Sequence, residues 1–328
     1  MSTHDDETSP HADAAAREVL EGLRQPQPSL SPKWFYDQAG SALFDAITEL
    51  DEYYLTRTEL AIMRESVGEM AAALGPDVAL IEFGSGSSSK TRWLLEALET
   101  PAAYVPLDIS ERHLLQSAER LQEVFTGLEV LPVVADYDHP VSLPSPSRAA
   151  SRRALFFSGS TIGNFEPDAA LAFLKRAHAM VGAGGGLLIA VDLAKDAAVL
   201  NAAYDDRDGV TARFNLNALR HLNATFDAGF DIDAWKHQAR YVPERGRVEM
   251  HLVCTRAQQV TLAGVTLTFE PGQTIHSESS HKWEPAAFDA LLGDAGFDVQ
   301  QSWTDEKGWF RVVYAVAGAA SDGAPQAR

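Results

Sequence analysis

The stretch between Ala79 and Thr91 constrains the fold of this chain more than any other part. Its residues are Ala-Leu-Ile-Glu-Phe-Gly-Ser-Gly-Ser-Ser-Ser-Lys-Thr, and an apolar helical pattern follows from Trp93 to Leu98. This order predicts a buried strand, a tight turn and a helix. Gly84 lets a ligand approach the backbone closely, and the free N–H groups at the start of the helix suit a carboxylate or a phosphate.

Three classes of ligand come close to fitting this turn. The P-loop pattern G-x-x-x-x-G-K-[ST] and the dinucleotide pattern G-x-G-x-x-G both require glycine at a position where the chain has Ser89. The stretch is similar to the E-x-G-x-G turn of S-adenosylmethionine (SAM) methyltransferases, through Glu82, Gly84 and Gly86. An ordinary strand–helix turn that binds nothing is the remaining alternative.

Length, charge and cysteine content limit the function classes. The chain has 328 residues, enough for two lobes with a sizeable core. Its net charge of −19 argues against binding to nucleic acid or an anionic membrane surface, because both are polyanions. The single cysteine, Cys254, excludes an intrachain disulfide and suits a reducing compartment. We expect a cytoplasmic protein, because the acidic start does not resemble a signal peptide and no apolar run could span a bilayer. We also expect a monomer.

Alternating strand and helix patterns in the first two thirds of the chain predict a parallel sheet with helices on both faces. The predicted strands are 78–83, 103–108, 128–135, 154–159 and 187–191. Near the C-terminus, a helix over 286–295 precedes two further strands, 298–304 and 309–316. A C-terminal hairpin that closes the sheet is typical of SAM methyltransferases. The predicted fold class is therefore α/β, a Rossmann-like SAM-dependent methyltransferase sheet with an inserted second α+β substrate-binding domain.

The alternation stops near Leu193 and defines the domain division. Beyond two helical patterns, β-branched runs such as 259–269 and 274–280 indicate antiparallel strands. The predicted parts are a disordered tail 1–13, an N-terminal part of the substrate domain 14–56, a SAM-binding domain 57–193 and 283–318, an inserted substrate-binding domain 194–282, and a tail 319–328.

Acidic residues at the strand ends support the SAM interpretation. Asp108 ends the second predicted strand, where a carboxylate can accept both ribose hydroxyls of an adenosyl group. Asp136 follows the third strand, where it can accept an adenine amino hydrogen, while Tyr137 can contact the ring. Each acid alone is equally compatible with a helix cap or a solvated loop. No metal is expected, because the 10 histidines form no His-Glu-x-x-His motif and methyl transfer needs only a well-placed lone pair.

Several segments resemble the L-histidine Nα-methyltransferase family of ergothioneine biosynthesis, and the likeness runs from about residue 15 to 317. They are Pro32-Lys-Trp-Phe-Tyr-Asp37, Glu52-Tyr-Tyr-Leu-Thr-Arg-Thr-Glu59, 82–92, Gly159-Ser-Thr-Ile-Gly-Asn164, 203–215, Arg247-Val-Glu-Met250 and Ser277-Glu-Ser-Ser-His-Lys-Trp283. The resemblance implies that three SAM molecules methylate L-histidine to hercynine. It also implies a SAM domain paired with a second domain, made of the N-terminal region and the insertion.

The resemblance assigns residues to a SAM side and to a histidine side. The SAM side is Gly84, Lys90, Asp108, Asp136, Tyr137 and Gly159. The histidine side is Tyr53, Asn164, Tyr204, Met250, Glu278 and Ser280, with Tyr36 near the reacting amine as the catalytic residue. Asn164 and Tyr204 would bind the substrate carboxylate. Glu278 and Ser280 would bind the imidazole, and they share a face if 274–280 is a strand.

Alternatives remain open at this point. Within the class, the substrate is another aromatic amino acid such as tryptophan, although the carboxylate of Glu278 favours imidazole over indole. Outside the class, the near-match to a P-loop leaves a nucleotide-binding protein, and a catalytically silent histidine sensor is a third possibility. For Glu278 the alternative is a surface ion pair with Lys282.

Overall fold

The computed structural model describes residues 10–84, 89–135 and 141–319, which form two compact units. The first unit comprises the chain up to Tyr54 together with Lys195–Ser280, and the second comprises Leu55–Ala194 together with the chain from His281 onward. Helix α1 begins at Pro10, so the expectation of a disordered tail over 1–13 is wrong for residues 10–13. Residues 1–9 and 320–328 lie outside the described residues. Among the described residues, no helix is long and apolar enough to cross a membrane.

Helices largely alternate with strands between residues 54 and 192, and strands predominate from residue 235 onward. The helices are α1 Pro10–Leu23, α2 Gln38–Thr48, α3 Tyr54–Leu74, α4 Ser89–Ala97, α5 Glu111–Val124, α6 Pro167–Val181, α7 Ala197–Tyr204, α8 Val210–Phe226 and α9 Pro285–Asp294. The strands are β1 Val78–Phe83, β2 Ala103–Asp108, β3 Val133–Val134, β4 Arg152–Phe157, β5 Gly186–Asp192, β6 Trp235–Val242, β7 Arg247–Cys254, β8 Gln258–Leu262, β9 Val265–Phe269, β10 Thr274–His281, β11 Phe297–Thr304 and β12 Phe310–Ala317.

A seven-stranded sheet in the order β11-β12-β5-β4-β1-β2-β3 forms the centre of the second unit. Strands β1 to β5 pair in parallel, whereas β12 runs antiparallel to both β5 and β11. Strands β1 and β5 are buried along their whole length, as expected for parallel strands that helices cover on both faces. The sheet and its C-terminal hairpin confirm the predicted fold class.

The strand order reverses at β1, and this reversal predicts where on the sheet a ligand binds. Strands β2 and β3 extend the sheet on one side of β1, while β4 and β5 extend it on the other. In open α/β sheets, ligands bind beyond the carboxyl ends of the strands at such a reversal. We call the carboxyl ends of β1 and β4 the β1–β4 edge.

Two predicted strands differ from the observed ones. The run 128–135 forms only the short strand β3, because it lies at the sheet edge and bonds a neighbour on one side only. The run 259–269 is not one strand but the hairpin β8–β9. Its two connecting residues, Ala263 and Gly264, have φ values of 49° and 75°, which are typical of a two-residue type I′ turn.

The first unit contains a three-stranded sheet in the order β10-β7-β6, the β8–β9 hairpin and helices from both of its chain segments. Helix α8 holds the segment before α2. The amide nitrogen of Asn217 donates to the Phe35 carbonyl at 3.3 Å and to the Asp37 carboxylate at 2.8 Å. A Cβ at Gly40 would lie 1.7 Å from the Phe35 carbonyl oxygen, so only glycine fits this close approach.

A buried ion pair joins the end of β5 to the segment after β10 in the second unit. The Lys282 ammonium lies 2.7 Å from the Asp192 carboxylate, and both side chains are 0% exposed. Charges removed from water in this way are costly unless they are paired, so the pair fixes Lys282 against the sheet.

Replacing Lys282 by methionine should lower the free energy of unfolding by about 3–5 kcal/mol, because the buried Asp192 carboxylate loses this partner. Urea denaturation measures the change. The control is Arg92→Met, which breaks the exposed Arg92–Glu96 pair and should cost under about 1 kcal/mol. Equal effects of the two substitutions would show that the buried pair does not anchor this segment.

Candidate functional site

Gly84 begins the turn after β1, at the β1–β4 edge. Its φ is +64°, a left-handed conformation that glycine adopts without steric cost. Its N–H donates to the carbonyl of Leu107 in β2 at 2.9 Å, which fixes the chain where it leaves the strand. Among the described residues beyond its chain neighbours, no atom lies within 4 Å of where a Cβ would stand. Gly86 lies outside the described residues.

Lys90 and Gly159 meet at a buried carboxylate, that of Glu59 on α3. The Lys90 ammonium lies 2.7 Å from one carboxylate oxygen of Glu59. The N–H of Gly159, in the turn after β4, lies 3.0 and 3.1 Å from its two oxygens. The structure therefore brings together two residues assigned to the SAM side. The sequence analysis missed Glu59 as a site residue, although it ends one of the quoted family segments.

Asp108 is the last residue of β2 and is partly exposed. Its carboxylate accepts the N–H of Ser110 at 2.9 Å, which holds the side chain at the strand end. Strands β1 and β2 are neighbours, so the carboxylate stands at the same sheet edge as Gly84. Asp136 and Tyr137, the other two residues assigned to the SAM side, lie outside the described residues.

Glu82, the first residue of the E-x-G-x-G turn, points into the protein. Its two oxygens accept hydrogen bonds from the hydroxyls of Thr91 on α4, at 2.6 Å, and of Tyr104 on β2. Burial raises the pKa of Glu82 to about 7, outweighing these hydrogen bonds and the nearby Lys90. Glu82 therefore ties β1 to β2 and to the helix after the turn.

Tyr204 and Ser280 meet directly in the first unit. Their hydroxyls are 2.7 Å apart and buried, and either can be the donor. The ring of Tyr53 contacts the ring of Tyr204, with centroids 6.3 Å apart. Three residues assigned to the histidine side thus come from three distant segments and lie in one cluster.

Tyr36 belongs to an aromatic group that continues from this cluster. Its ring lies 5.8 Å from Phe44 and 5.6 Å from Phe214, and Phe44 in turn lies 6.4 Å from Tyr53. Tyr36 is 46% exposed, whereas Phe214 is buried. Phe44 and Phe214 position the two tyrosines, and the sequence analysis did not assign them a role there.

His237 fixes the end of α7 that carries Tyr204. Its Nε2 donates to the carbonyl of Tyr204 at 2.9 Å, and its Nδ1 accepts from the amide of Asn215 at 2.8 Å. Burial lowers the pKa of His237, in agreement with a neutral ring that donates from one nitrogen and accepts at the other. Asn215 lies in the quoted family segment 203–215.

Met250 is buried on β7 between Glu249 and His251. Arg247 and Glu249 form a buried pair at 2.8 Å, and His251 lies 3.1 Å from the same carboxylate. Burial alone would raise the pKa of Glu249, but the hydrogen bonds of Arg247 and His251 outweigh it and lower the pKa to about 2. Met250 points to the opposite face of the strand from these charges.

Glu278 and Asn164 complete the residues assigned to the histidine side. Glu278 is half-buried on β10, in the first unit, and Asn164 ends a 3₁₀ turn, Thr161–Asn164, in the second. The structure contradicts the alternative that Glu278 forms an ion pair with Lys282 at the protein surface. The Lys282 side chain is fully buried and paired with Asp192.

Sheet topology and edge residues together define an α/β methyltransferase. Over the described parts of the chain, no group of three or more His, Cys, Asp and Glu side chains is placed to hold a metal ion. What the β1–β4 edge offers is a glycine turn, a lysine ammonium and carboxylates, which suit a charged nucleoside ligand.

Comparison with known proteins gives the family. A family model described as "Histidine-specific methyltransferase, SAM-dependent" matches residues 15–317. The histidine N-alpha-methyltransferase of Mycobacterium tuberculosis is 42% identical over 303 residues, 90% of this chain and 93% of that protein. The protein of the same name from Mycolicibacterium smegmatis is 40% identical, over 93% of this chain and 95% of its own length. The chain belongs to the histidine-specific, SAM-dependent methyltransferase family, which confirms the resemblance of its segments.

A more distant relative is a longer protein, and the match covers only part of it. Ergothioneine biosynthesis protein 1 of Neurospora crassa is 30% identical over 276 residues, which make up 82% of this chain and 31% of that protein.

The raised pKa of Glu82 predicts that the stability of the protein depends on pH. Its folded-state pKa is raised from 4.5 to about 7, so the stability it contributes is present below pH 4.5 and is lost as the pH rises through 7. Glu82→Gln keeps the shape, and the hydroxyls of Thr91 and Tyr104 can rotate to suit an amide. The free energy of unfolding of the variant, minus that of wild type, should therefore rise by up to about 3 kcal/mol between pH 4.5 and pH 8.

Urea denaturation at a series of pH values measures this difference. Glu123→Gln, on the exposed face of α5, is the matched control and should show no such trend. A difference between Glu82→Gln and wild type that stays constant with pH would contradict the raised pKa of Glu82.

Proposed function

We propose that this protein transfers methyl groups from SAM to the α-amino nitrogen of L-histidine, three times, giving hercynine for ergothioneine biosynthesis. Two relatives with at least 40% identity over nine tenths of the chain are named for histidine N-alpha-methylation. The structural observation that carries the proposal is the buried hydrogen bond between Tyr204 and Ser280, with Tyr53 against the same tyrosine. The family resemblance assigns all three residues to histidine binding, independently of the contacts between them.

SAM supplies an electrophilic methyl group on a sulfonium, and the second unit would hold the rest of the molecule. We assign the methionyl part to Lys90 and Gly159, and the ribose hydroxyls to Asp108. The left-handed backbone of Gly84, which lacks a side chain, supports a close approach by the ligand. Asp136 and Tyr137 stay predictions for the adenine.

In the first unit, Ser280 and Glu278 would bind the imidazole, while Tyr204 would bind the carboxylate. Asn164 stays a prediction for the carboxylate. The hydroxyl pair supports this division. One hydroxyl donates to the other, and the second keeps its own proton for the substrate. An imidazole N–H that donates to Ser280 would turn the Ser280 proton toward Tyr204, and the Tyr204 proton toward a carboxylate. Met250 would limit the width of the ring pocket.

Tyr36 and Tyr53 would face the amine. Each methyl transfer adds bulk, and the third leaves a fixed positive charge, which the faces of aromatic rings attract. Tyr36 packs against Phe214 and is 46% exposed. The amine must lose a proton before each transfer, and Tyr36 or water would accept it.

We further propose that the protein acts as a monomer in the cytoplasm, on a small molecule rather than on nucleic acid or a membrane. The net charge of −19 supports the exclusion of polyanions, and the buried, unbridged Cys254 suits a reducing compartment.

Mass spectrometry of L-histidine incubated with SAM and this protein should show a final gain of three methyl groups. Histamine, which lacks the carboxylate, should react far more slowly, and tryptophan should leave Glu278 without its ring partner and react poorly.

Tyr204→Phe should raise the histidine concentration needed for half-maximal rate by roughly five- to a hundredfold, through one lost hydrogen bond. The control is Tyr241→Phe on β6, expected to behave as wild type. Methylation of tryptophan but not of histidine would contradict the proposal.

A further inference from the structure

Glu59 is a buried carboxylate at the β1–β4 edge that the proposed methyl transfer does not use. It is 1% exposed and lies on α3. Burial of a carboxylate is tolerated when a cation and hydrogen-bond donors compensate it. Here the compensation comes from Lys90, 23% exposed at its side chain, and from the backbone N–H of Gly159.

Glu59 contacts both a charged side chain and the backbone of a turn. Gly159 has a φ of +75°, and a Cβ there would lie 3.9 Å from the Lys90 ammonium. Ser160, the next residue, also has a left-handed φ of 57°. The N–H of Asp192 on β5 donates to the Ser160 hydroxyl at 2.8 Å, so the turn is held from both sides.

The charge balance at this edge matters because of the two ligands that must exchange there. SAM has a sulfonium, an ammonium and a carboxylate, so its net charge is positive by one unit. S-adenosylhomocysteine, the demethylated product, has lost the sulfonium charge and is neutral overall. A lone lysine ammonium would repel SAM more than the product, whereas a Lys90–Glu59 pair has no net charge.

We propose that Glu59 is a positioning residue that neutralises Lys90 and thereby sets the preference of the site for SAM over S-adenosylhomocysteine. The inference rests on the proposed use of SAM. It assigns to Glu59 a selective function rather than a purely structural one. Three successive transfers release three molecules of S-adenosylhomocysteine, so this preference governs how strongly the product inhibits the next transfer.

The experiment is calorimetric titration of the full chain with SAM and, separately, with S-adenosylhomocysteine, at one fixed pH. The pH is kept constant because Glu82, with a pKa of about 7, lies close enough to Lys90 and Glu59 to be affected by their charges. The variants are Glu59→Gln, which removes the negative charge, Lys90→Met, which removes the positive charge, and the double variant. Glu65→Gln, exposed on the same helix, is the matched control.

Opposite shifts are expected from the two single variants. Glu59→Gln should change the ratio of the two dissociation constants by on the order of tenfold in favour of S-adenosylhomocysteine. Lys90→Met should shift the ratio toward SAM, and the double variant should return it toward wild type even if both ligands bind more weakly. Glu65→Gln should leave the ratio and both affinities unchanged.

Glu59→Asp keeps the charge but shortens the side chain, so it separates shape from charge. It should weaken both ligands equally and leave the ratio unchanged. If Glu59→Gln does not fold, the shift of the ratio expected for Lys90→Met decides the proposal. If wild type binds neither ligand, the proposed use of SAM is wrong. If wild type binds both but Glu59→Gln and Lys90→Met leave the ratio unmoved, the role of Glu59 is overturned.

Discussion

The cost of burying negative charge at the carboxyl ends of the parallel strands shapes the whole second unit. Glu59, Glu82 and Asp192 are all buried there, and each is compensated in a different way. Asp192 has the Lys282 ammonium, and Glu59 has the Lys90 ammonium and a backbone amide. Glu82 accepts hydrogen bonds from two hydroxyls, but burial outweighs them and raises its pKa to about 7. Each compensation links separate segments of the second unit, so together they set the geometry of this end of the sheet.

In the first unit, neutral hydrogen bonds perform the equivalent task for the tyrosines. Asn217 holds the segment before Tyr36, and His237 with Asn215 holds the end of α7 that carries Tyr204. Each of these polar groups is buried and directional, which suits residues that must present a hydroxyl or a ring at a fixed position. Aromatic contacts then link Tyr36 through Phe44 to Tyr53.

Elements with strong local signals could be predicted from the sequence, and those that depend on distant partners could not. Strands β1 and β2 have the bounds expected for them, because an apolar run can be recognised from the local sequence. Strand β3 is shorter than its apolar run, since an edge position provides one neighbour only. The turn at Ala263 and Gly264 was missed because the β-branched run hides it, although the glycine was a usable signal.

For the site, residue types at strand ends and the family segments indicated the SAM and histidine residues. The contacts of Lys90 and Tyr204 were not predictable. Glu59 lies 31 positions from Lys90 and 100 from Gly159, and Ser280 lies 76 from Tyr204. Only the tertiary arrangement brings such residues together, so a single sequence contains no local pattern that reports it.

A crystal structure of the protein with S-adenosylhomocysteine and L-histidine bound tests the assignment of the two ligands most directly. We expect the carboxylate of S-adenosylhomocysteine within about 3 Å of the Lys90 ammonium and its ribose hydroxyls on Asp108. The histidine imidazole should contact Glu278 and Ser280, and its carboxylate should contact Tyr204. A nucleoside bound away from the β1–β4 edge, or an imidazole that contacts neither Glu278 nor Ser280, would contradict these assignments.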